Sequence, residues 1–328
     1  MNNKSSISKF NIFKMNSVTP SLLIIYGAMI LFFSVLNPLY VSIENIKSIY
    51  SNLAISGIMA AGLSVVVLTG NFDLSIESTV GIAAIISAKL FNIPGVNIPI
   101  PVVILIAILA GAAIGALNGF LVSVVGINSI ITTLGTLAIF RGLAYLFATE
   151  SLLIKNKPFI AIGRRYLFKN IPLSFLYMIV ILLVIYFCLK YTKFGRNIYS
   201  IGANVHAARL AGIGTNNNVF FAFIISGATA AIGGVLMASQ LAFAQGAFGA
   251  GLVFKILTIV VLGGISLAGG RGTLIGVLVA AFIIGSISNG LALIDVPVQW
   301  REAFQGIILI IAILVDSIRV RRRELLKA

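Results

Sequence analysis

The chain has 328 residues, of which 59% are hydrophobic and only 9% charged, with a mean hydropathy of +1.11. A water-facing surface uses about 25% charged residues, so this composition excludes a soluble globular domain. The net charge of +15 does not point to nucleic acid, because the basic residues gather at the ends of apolar runs and form no single stripe.

Apolar runs alternating with short polar breaks are the pattern of a polytopic helical membrane protein, since lipid obliges each spanning segment to satisfy its own backbone. A hydrocarbon core of about 30 Å takes about 20 apolar residues per helix. Ten runs reach or approach that length: 20–36, 49–69, 74–91, 99–125, 130–148, 172–189, 220–241, 254–268, 274–294 and 303–315. The eighth and tenth are short, which fits tilted, broken or lipid-shielded helices. The first follows Lys4, Lys9 and Lys14 but lacks a small-residue cleavage site, so it reads as a retained helix and not a signal peptide.

With the amino terminus in the cytoplasm, six crossings bring Lys190, Lys193, Arg196 and Arg209 inside, and ten bring Arg319, Arg321, Arg322, Arg323 and Lys327 there too. The loop 150–171 resists this scheme. It would lie outside while carrying Lys155, Lys157, Arg164, Arg165 and Lys169, so either the topology slips locally or the loop faces an acidic partner.

Small residues mark helix interfaces. Gly111, Gly115 and Gly119 recur every fourth residue, and Gly272 with Gly276 repeats the spacing. No Gly-Lys-Ser or Gly-Lys-Thr occurs, so the phosphate-loop signature is absent. GAFGAG at 246–251 and GGRGTLIG at 269–276 read as tight turns and packing sites. VVVLTG at 65–70 echoes IVVLGG at 259–264, a hint of duplication within the bundle.

Catalysis needs convergent titratable groups, and one histidine, one cysteine and eight acids spread along the chain assemble no nucleophile constellation and no metal site. Cys188, in an apolar run, reads as a small core hydrophobe. Asp73 and Glu77 sit in NFDLSIES, where Asp73 is expected to cap a helix beginning at Leu74 and Glu77 to add charge to its first turn; a hinge or pathway role is the alternative. Arg141, deep in the fifth run, is either a pathway residue, with Glu77 as its expected partner, or is tied to backbone carbonyls. Asn52, Asn118, Thr132, Thr136, Gln240 and Asn289 lie within apolar segments, where they serve as interhelical glue or as hydrogen-bonding lining for a neutral polar solute. The polar, basic island at 190–214 is too conspicuous among such runs to be a bare connection; it has something to grip.

Four ordered motifs carry a resemblance over the chain from about Asn45 onward: GLSVVVLTGNFDLSIES at 62–78, ITTLGTLAIFRGLA at 131–144, TKFGRNIYSIGANVHAARLAGI at 192–213 and VVLGGISLAGGRGTLIG at 260–276. Together they resemble the permease subunit of bacterial ATP-binding cassette importers, in the branch handling ribose, other monosaccharides and autoinducer-like furanose derivatives. The resemblance implies an all-α, type II-like bundle of about ten transmembrane helices in the inner membrane. It also implies a second permease, identical or paralogous, two cytoplasmic ATP-binding subunits and an extracytoplasmic solute-binding protein as partners. No cofactor, metal or catalytic residue is implied. Residues 1–19 and 319–328 would be cytoplasmic tails flanking the permease domain 20–318, with a coupling segment at 190–218.

By motif match, Gly195, Arg196, Gly202, Ala207, Ala208, Arg209, Leu210 and Gly212 would form or shape the contact with the ATPase. His206 lies in the same contact, where with Val205 it replaces the acid and proline common in the family. A second departure lies before VVLGG, where Val253, Phe254 and Lys255 stand in place of a Glu-Leu-Asp arrangement. Binding proteins of such importers often dock through acids, so Lys155, Lys157, Arg164, Arg165 and Lys169 are docking candidates. An ion-coupled secondary transporter is the competing expectation, although Arg141 alone is poor material for ion coupling.

Overall fold

The computed structural model describes residues 18–325, which form a mostly helical membrane bundle. The helices are α1 (Val18–Leu36), α2 (Ile43–Leu68), α3 (Ile76–Phe91), α4 (Ile100–Ser123), α5 (Ser129–Phe147), α6 (Lys157–Arg164), α7 (Leu173–Tyr191), α8 (Lys193–Ala203), α9 (Val205–Leu210), α10 (Thr215–Leu241), α11 (Leu252–Leu262), α12 (Leu274–Leu293) and α13 (Val298–Leu325). Two minimal antiparallel ribbons join loops, β1 (Leu152–Leu153) with β4 (Phe243–Ala244) and β2 (Tyr166–Leu167) with β3 (Ile171–Pro172). Lys4, Lys9, Lys14 and Lys327 lie outside the described residues.

Each of the ten apolar runs carries one helix, and six of these helices, α2, α4, α5, α7, α10 and α12, are long and apolar enough to cross a membrane. Two runs end elsewhere than their hydropathy implies. The run 254–268 yields only the 11-residue α11, because Gly264 takes a left-handed φ of 85° and stops the helix. The run 303–315 lies inside the 28-residue α13, whose polar ends continue the helix without registering as apolar.

Helices α2 and α10 form the buried centre, with α3, α4, α7, α11 and α12 packed around them. Lipid offers no hydrophobic drive between helices, so close backbone approach must supply the attraction. On α4, Gly111, Gly115 and Gly119 face α10. A Cβ at Gly115 would collide with the Phe223 carbonyl, and Gly227 meets Gly111 reciprocally. The second expected pair does not form such a stripe. Gly272 lies in the turn before α12 with φ 135°, and Gly276 alone packs on the Gly263 carbonyl.

The echoed motifs end α2 and α11 in the same way. Asn71 N donates to the Val66 carbonyl and Gly70 N to that of Val67; Ile265 N and Gly264 N bond Val260 and Val261 in the same pattern. Both glycines have positive φ, 80° and 85°.

Gly115→Leu is expected to cost about 1–3 kcal/mol through overpacking, read as a lower unfolding temperature of the detergent-purified protein. Gly135→Leu, at a helical glycine with nothing within 4 Å of its Cβ position, should leave that temperature unchanged.

Candidate coupling segment and translocation cavity

The island at 190–214 folds as two short helices. Thr192 caps α8 by accepting from Gly195 N at 3.2 Å, and Asn204 caps α9 by accepting from Ala207 N at 3.0 Å. Gly212, at φ 76°, closes α9: its N–H bonds the Arg209 carbonyl and Ile213 N bonds that of Ala208.

Helix α8 is amphipathic, burying Gly195, Ile198 and Ile201 while Arg196 stays exposed. Gly195 sits against the Leu189 carbonyl at the end of α7. Gly202 sits against the Leu68 carbonyl and Gly270 N, so the end of α8 touches the end of α2 and the α11–α12 turn together. Gly270 N donates to Leu68 O at 2.8 Å and Tyr199 Oη to Gly272 O at 3.0 Å. Asp316 of α13 accepts from Leu267 N and Ser266 Oγ of the same turn.

Helix α9 is the outermost part of this end. Ala208 is buried beneath it, while His206, Ala207, Arg209 and Leu210 face outward, Leu210 at 91% exposure. Arg209 Nε donates to Thr215 Oγ1 at 3.1 Å, and Arg209 borders a cleft of about 450 Å³ with Ile213, Thr215 and Asn217.

A second polar end lies at the opposite end of α10. There α6 buries Phe159 and Gly163, with Gly163 N donating to Ser239 Oγ at 2.8 Å and Arg164 Nε to the Gln240 carbonyl at 2.6 Å. Lys155, Lys157, Arg164, Arg165 and Lys169 are all exposed on this end, and Phe168 and Lys169 form the left-handed tip of the β2–β3 turn. The basic loop and the basic island thus occupy opposite ends of the bundle.

Near the α6 end a cavity of about 390 Å³ opens between α2, α10, α11, α12 and α13. Asn52 and Asn289 line it, with Ser48, Ser288, Lys255 and Arg301. Asn52 lies about 24 Å along α2 from Leu68 at a rise of about 1.5 Å per residue, so the cavity is far from the α8 contact.

The other polar candidates are engaged elsewhere. Asp73 is not a helix cap: α3 begins at Ile76, and Asp73 Oδ1 instead accepts from Ser75 N at 3.1 Å and Ser75 Oγ at 2.6 Å. Its Oδ2 accepts from Ser226 Oγ of α10 at 2.7 Å. Asn118 continues this buried chain, donating to Ser75 Oγ and accepting from Thr136 Oγ1, each at 2.8 Å. Thr132 Oγ1 is buried and finds no partner among the described residues. Gln240 Nε2 donates to the Ser51 carbonyl at 3.3 Å.

Arg141 donates through Nη1 to the Gly246 and Phe248 carbonyls, at 2.9 and 2.7 Å, and Nη2 meets Glu77 Oε1 at 3.5 Å. Glu77 Oε2 accepts from Gly251 N at 3.0 Å. The pair therefore clasps the glycine loop 246–251 from both sides, with Arg141 joined both to the expected partner Glu77 and to backbone carbonyls. Among the described residues no group of acids, histidines or cysteines could hold a metal.

Sequence reasoning singled out Lys255 only as a departure from a family pattern and did not single out Arg301 or Ser48. The signal was available, because a lysine in the first turn of an apolar helix is an ionisable group in a membrane segment.

The profile of the branched-chain amino acid transport system permease component matches residues 45–313. The chain belongs to this family. It is 36% identical over 286 residues to the autoinducer 2 import system permease protein LsrC of Photorhabdus luminescens, covering 87% of this chain and 85% of that one. It is 31% identical over 289 residues to the ribose import permease protein RbsC of Haemophilus influenzae, covering 87% and 88%. No solved structure matches it. The chain is a multi-pass inner-membrane permease subunit of an ATP-binding cassette importer and not an enzyme; it works with an ATPase and a solute-binding protein. Family membership sets aside the ion-coupled secondary transporter.

Arg141→Met is expected to cost about 3–5 kcal/mol, because it strands the Glu77 carboxylate, and to speed hydrogen exchange in 246–251. Arg141→Lys should recover only part of the loss, since an ammonium cannot fork between two carbonyls and a carboxylate. Unchanged exchange in Arg141→Met would show that the loop does not depend on the clasp.

Proposed function

We propose that this permease moves a monosaccharide-like polar solute by alternating access, with α9 as the handle on which the ATPase pulls. The observation that carries this reading is the exposed, apolar-tipped α9, joined through α8 to the ends of α2 and the α11–α12 turn. Gly195, Arg196 and Gly202 set the handle on the bundle, His206, Ala207, Arg209 and Leu210 offer the contact, and Ala208 and Gly212 hold its shape. A knob of this kind transmits force only if its base is rigid, and backbone contacts at Gly202 supply that rigidity.

In this reading ten helices, α1 to α5, α7 and α10 to α13, cross the membrane, both termini are cytoplasmic, and the coupling segment 190–218 lies inside. Residues 20–318 are the permease domain, flanked by tails. A second permease, identical or paralogous, completes the pathway, and two ATP-binding subunits sit below. The relatives' import of ribose and autoinducer 2 supports a small hydroxylated solute. Asn52 and Asn289 are the pathway candidates that line a cavity; Asn118, Thr132, Arg141 and Gln240 act in packing. The exposed cations at 155, 157, 164, 165 and 169 receive acids of the binding protein. ATP binding would shift the bundle outward only by stabilising one orientation over the other.

In cells carrying Cys188→Ser, a membrane-impermeant maleimide should label Lys169→Cys from outside and Arg209→Cys only after permeabilisation. Labelling of Arg209→Cys in sealed cells would overturn the topology. Leu210→Asp should abolish copurification of the ATPase and solute uptake together. The double variant Arg164→Glu/Arg165→Glu should weaken binding-protein docking severalfold at low salt and less at high salt; unchanged affinity would sink the docking role.

A further inference from the structure

The cavity lined by Asn52 and Asn289 has a charge that a neutral sugar does not account for. Lys255 of α11 and Arg301 of α13 both line it, and none of its described lining residues is acidic. Neither side chain makes a hydrogen bond or ion pair with the described residues; the one ion pair among them is that of Arg141 with Glu77. Arg301 Nε is buried without a partner, as is the side-chain oxygen of Asn289.

Unpaired cations in a membrane bundle are costly, and they persist where something supplies the opposite charge. Here both cations belong to first turns, Lys255 four residues into α11 and Arg301 four residues into α13. The amino-terminal ends of helices carry partial positive charge, so the local field adds to that of the side chains. The remaining polar lining is hydroxyl and amide, from Ser48, Asn52, Ser56, Ser288 and Asn289, beside apolar Ile55, Met237, Leu252 and Ala292. Ser48 and Ser288 each accept a weak bond, from Asn52 and Gln305, so the wall is polar but not closed on itself. About 390 Å³ suits a molecule of monosaccharide size.

We propose that this cavity binds a small polyhydroxylated solute carrying an oxyanion, a carboxylate or phosphate monoester. Lys255 and Arg301 hold the anionic group, and Asn52 and Asn289 hold the hydroxyls. The proposal rests on the importer reading above and narrows its substrate class. A guanidinium and an ammonium converging on one oxyanion form charge-assisted bonds stronger than those a neutral hydroxyl can make.

The test uses the full chain with Cys188→Ser and Ser48→Cys, in nanodiscs of phosphatidylcholine, and follows maleimide labelling of the cavity thiol. D-ribonate and ribose 5-phosphate should protect it at concentrations about tenfold below those needed for ribose, the factor expected of one charge-assisted contact. Lys255→Gln and Arg301→Gln should erase that difference, and Lys255→Arg should keep it. Equal protection by ribose and the anions, or a ratio unmoved by Lys255→Gln, overturns the proposal. A lipid phosphate is the competing occupant. If phosphatidylglycerol discs alone protect the thiol and the soluble anions do not, the site belongs to a headgroup and the solute assignment falls. ATPase copurification, measured on the same variants, reports separately on the importer reading: its retention confines any failure to the anion, and its loss would strike the importer reading itself.

Discussion

One close contact organises this molecule: the end of α8 lying directly on the backbone of α2 and of the α11–α12 turn. Gly202 allows it, because any Cβ there would strike the Leu68 carbonyl and Gly270 N. Gly269 and Gly270, with φ of 84° and 69°, complete it from the other side. Gly195 against Leu189 and the buried Ile198 and Ile201 hold α8 as well, but the Gly202 contact is the one that ties it to α2 and the α11–α12 turn at once. With it, the helix that anchors α8 and α9 is the same helix whose other half lines the cavity.

The ends of α2 and α11 meet at this contact wearing the same glycine cap. Helix ends buried against other parts of the protein must satisfy their last carbonyls there, and a glycine cap does so in the fewest residues. Two equivalent caps then leave room for a third helix end to lie across them. The faint sequence echo between 65–70 and 259–264 is therefore the trace of a local geometric requirement, met twice in one bundle.

The opposite end of the bundle is built differently. There side chains carry more of the joining: Arg141 and Glu77 clasp the loop 246–251, Ser239 pins α6, and cations with no partner among the described residues border the cavity. Between the two ends runs the buried chain Asp73, Ser75, Asn118 and Thr136, with Ser226 joining from α10. Its groups satisfy one another, whereas the amides and cations of the cavity near the α6 end remain open.

The sequence by itself determined the class of molecule, the order of its apolar helices, the glycine stripe on α4 and the separate nature of the basic island. These follow from hydropathy runs and i, i+4 spacing, which are properties of neighbouring residues. It placed the start of α3 two residues early, since Asp73 has a cap's chemistry but spends it on Ser75 and Ser226. Glu77 was recognisable as a partner for Arg141, whereas the carbonyls of Gly246 and Phe248 were not, because carbonyls are present at every residue. Only the tertiary structure decided which polar residues share a cavity. Ser48, Asn52, Lys255, Asn289 and Arg301 are separated by up to 253 positions in the chain, and no local pattern groups them. Helix packing alone brings them to one wall, because each sits on the face of its helix that its neighbours leave uncovered.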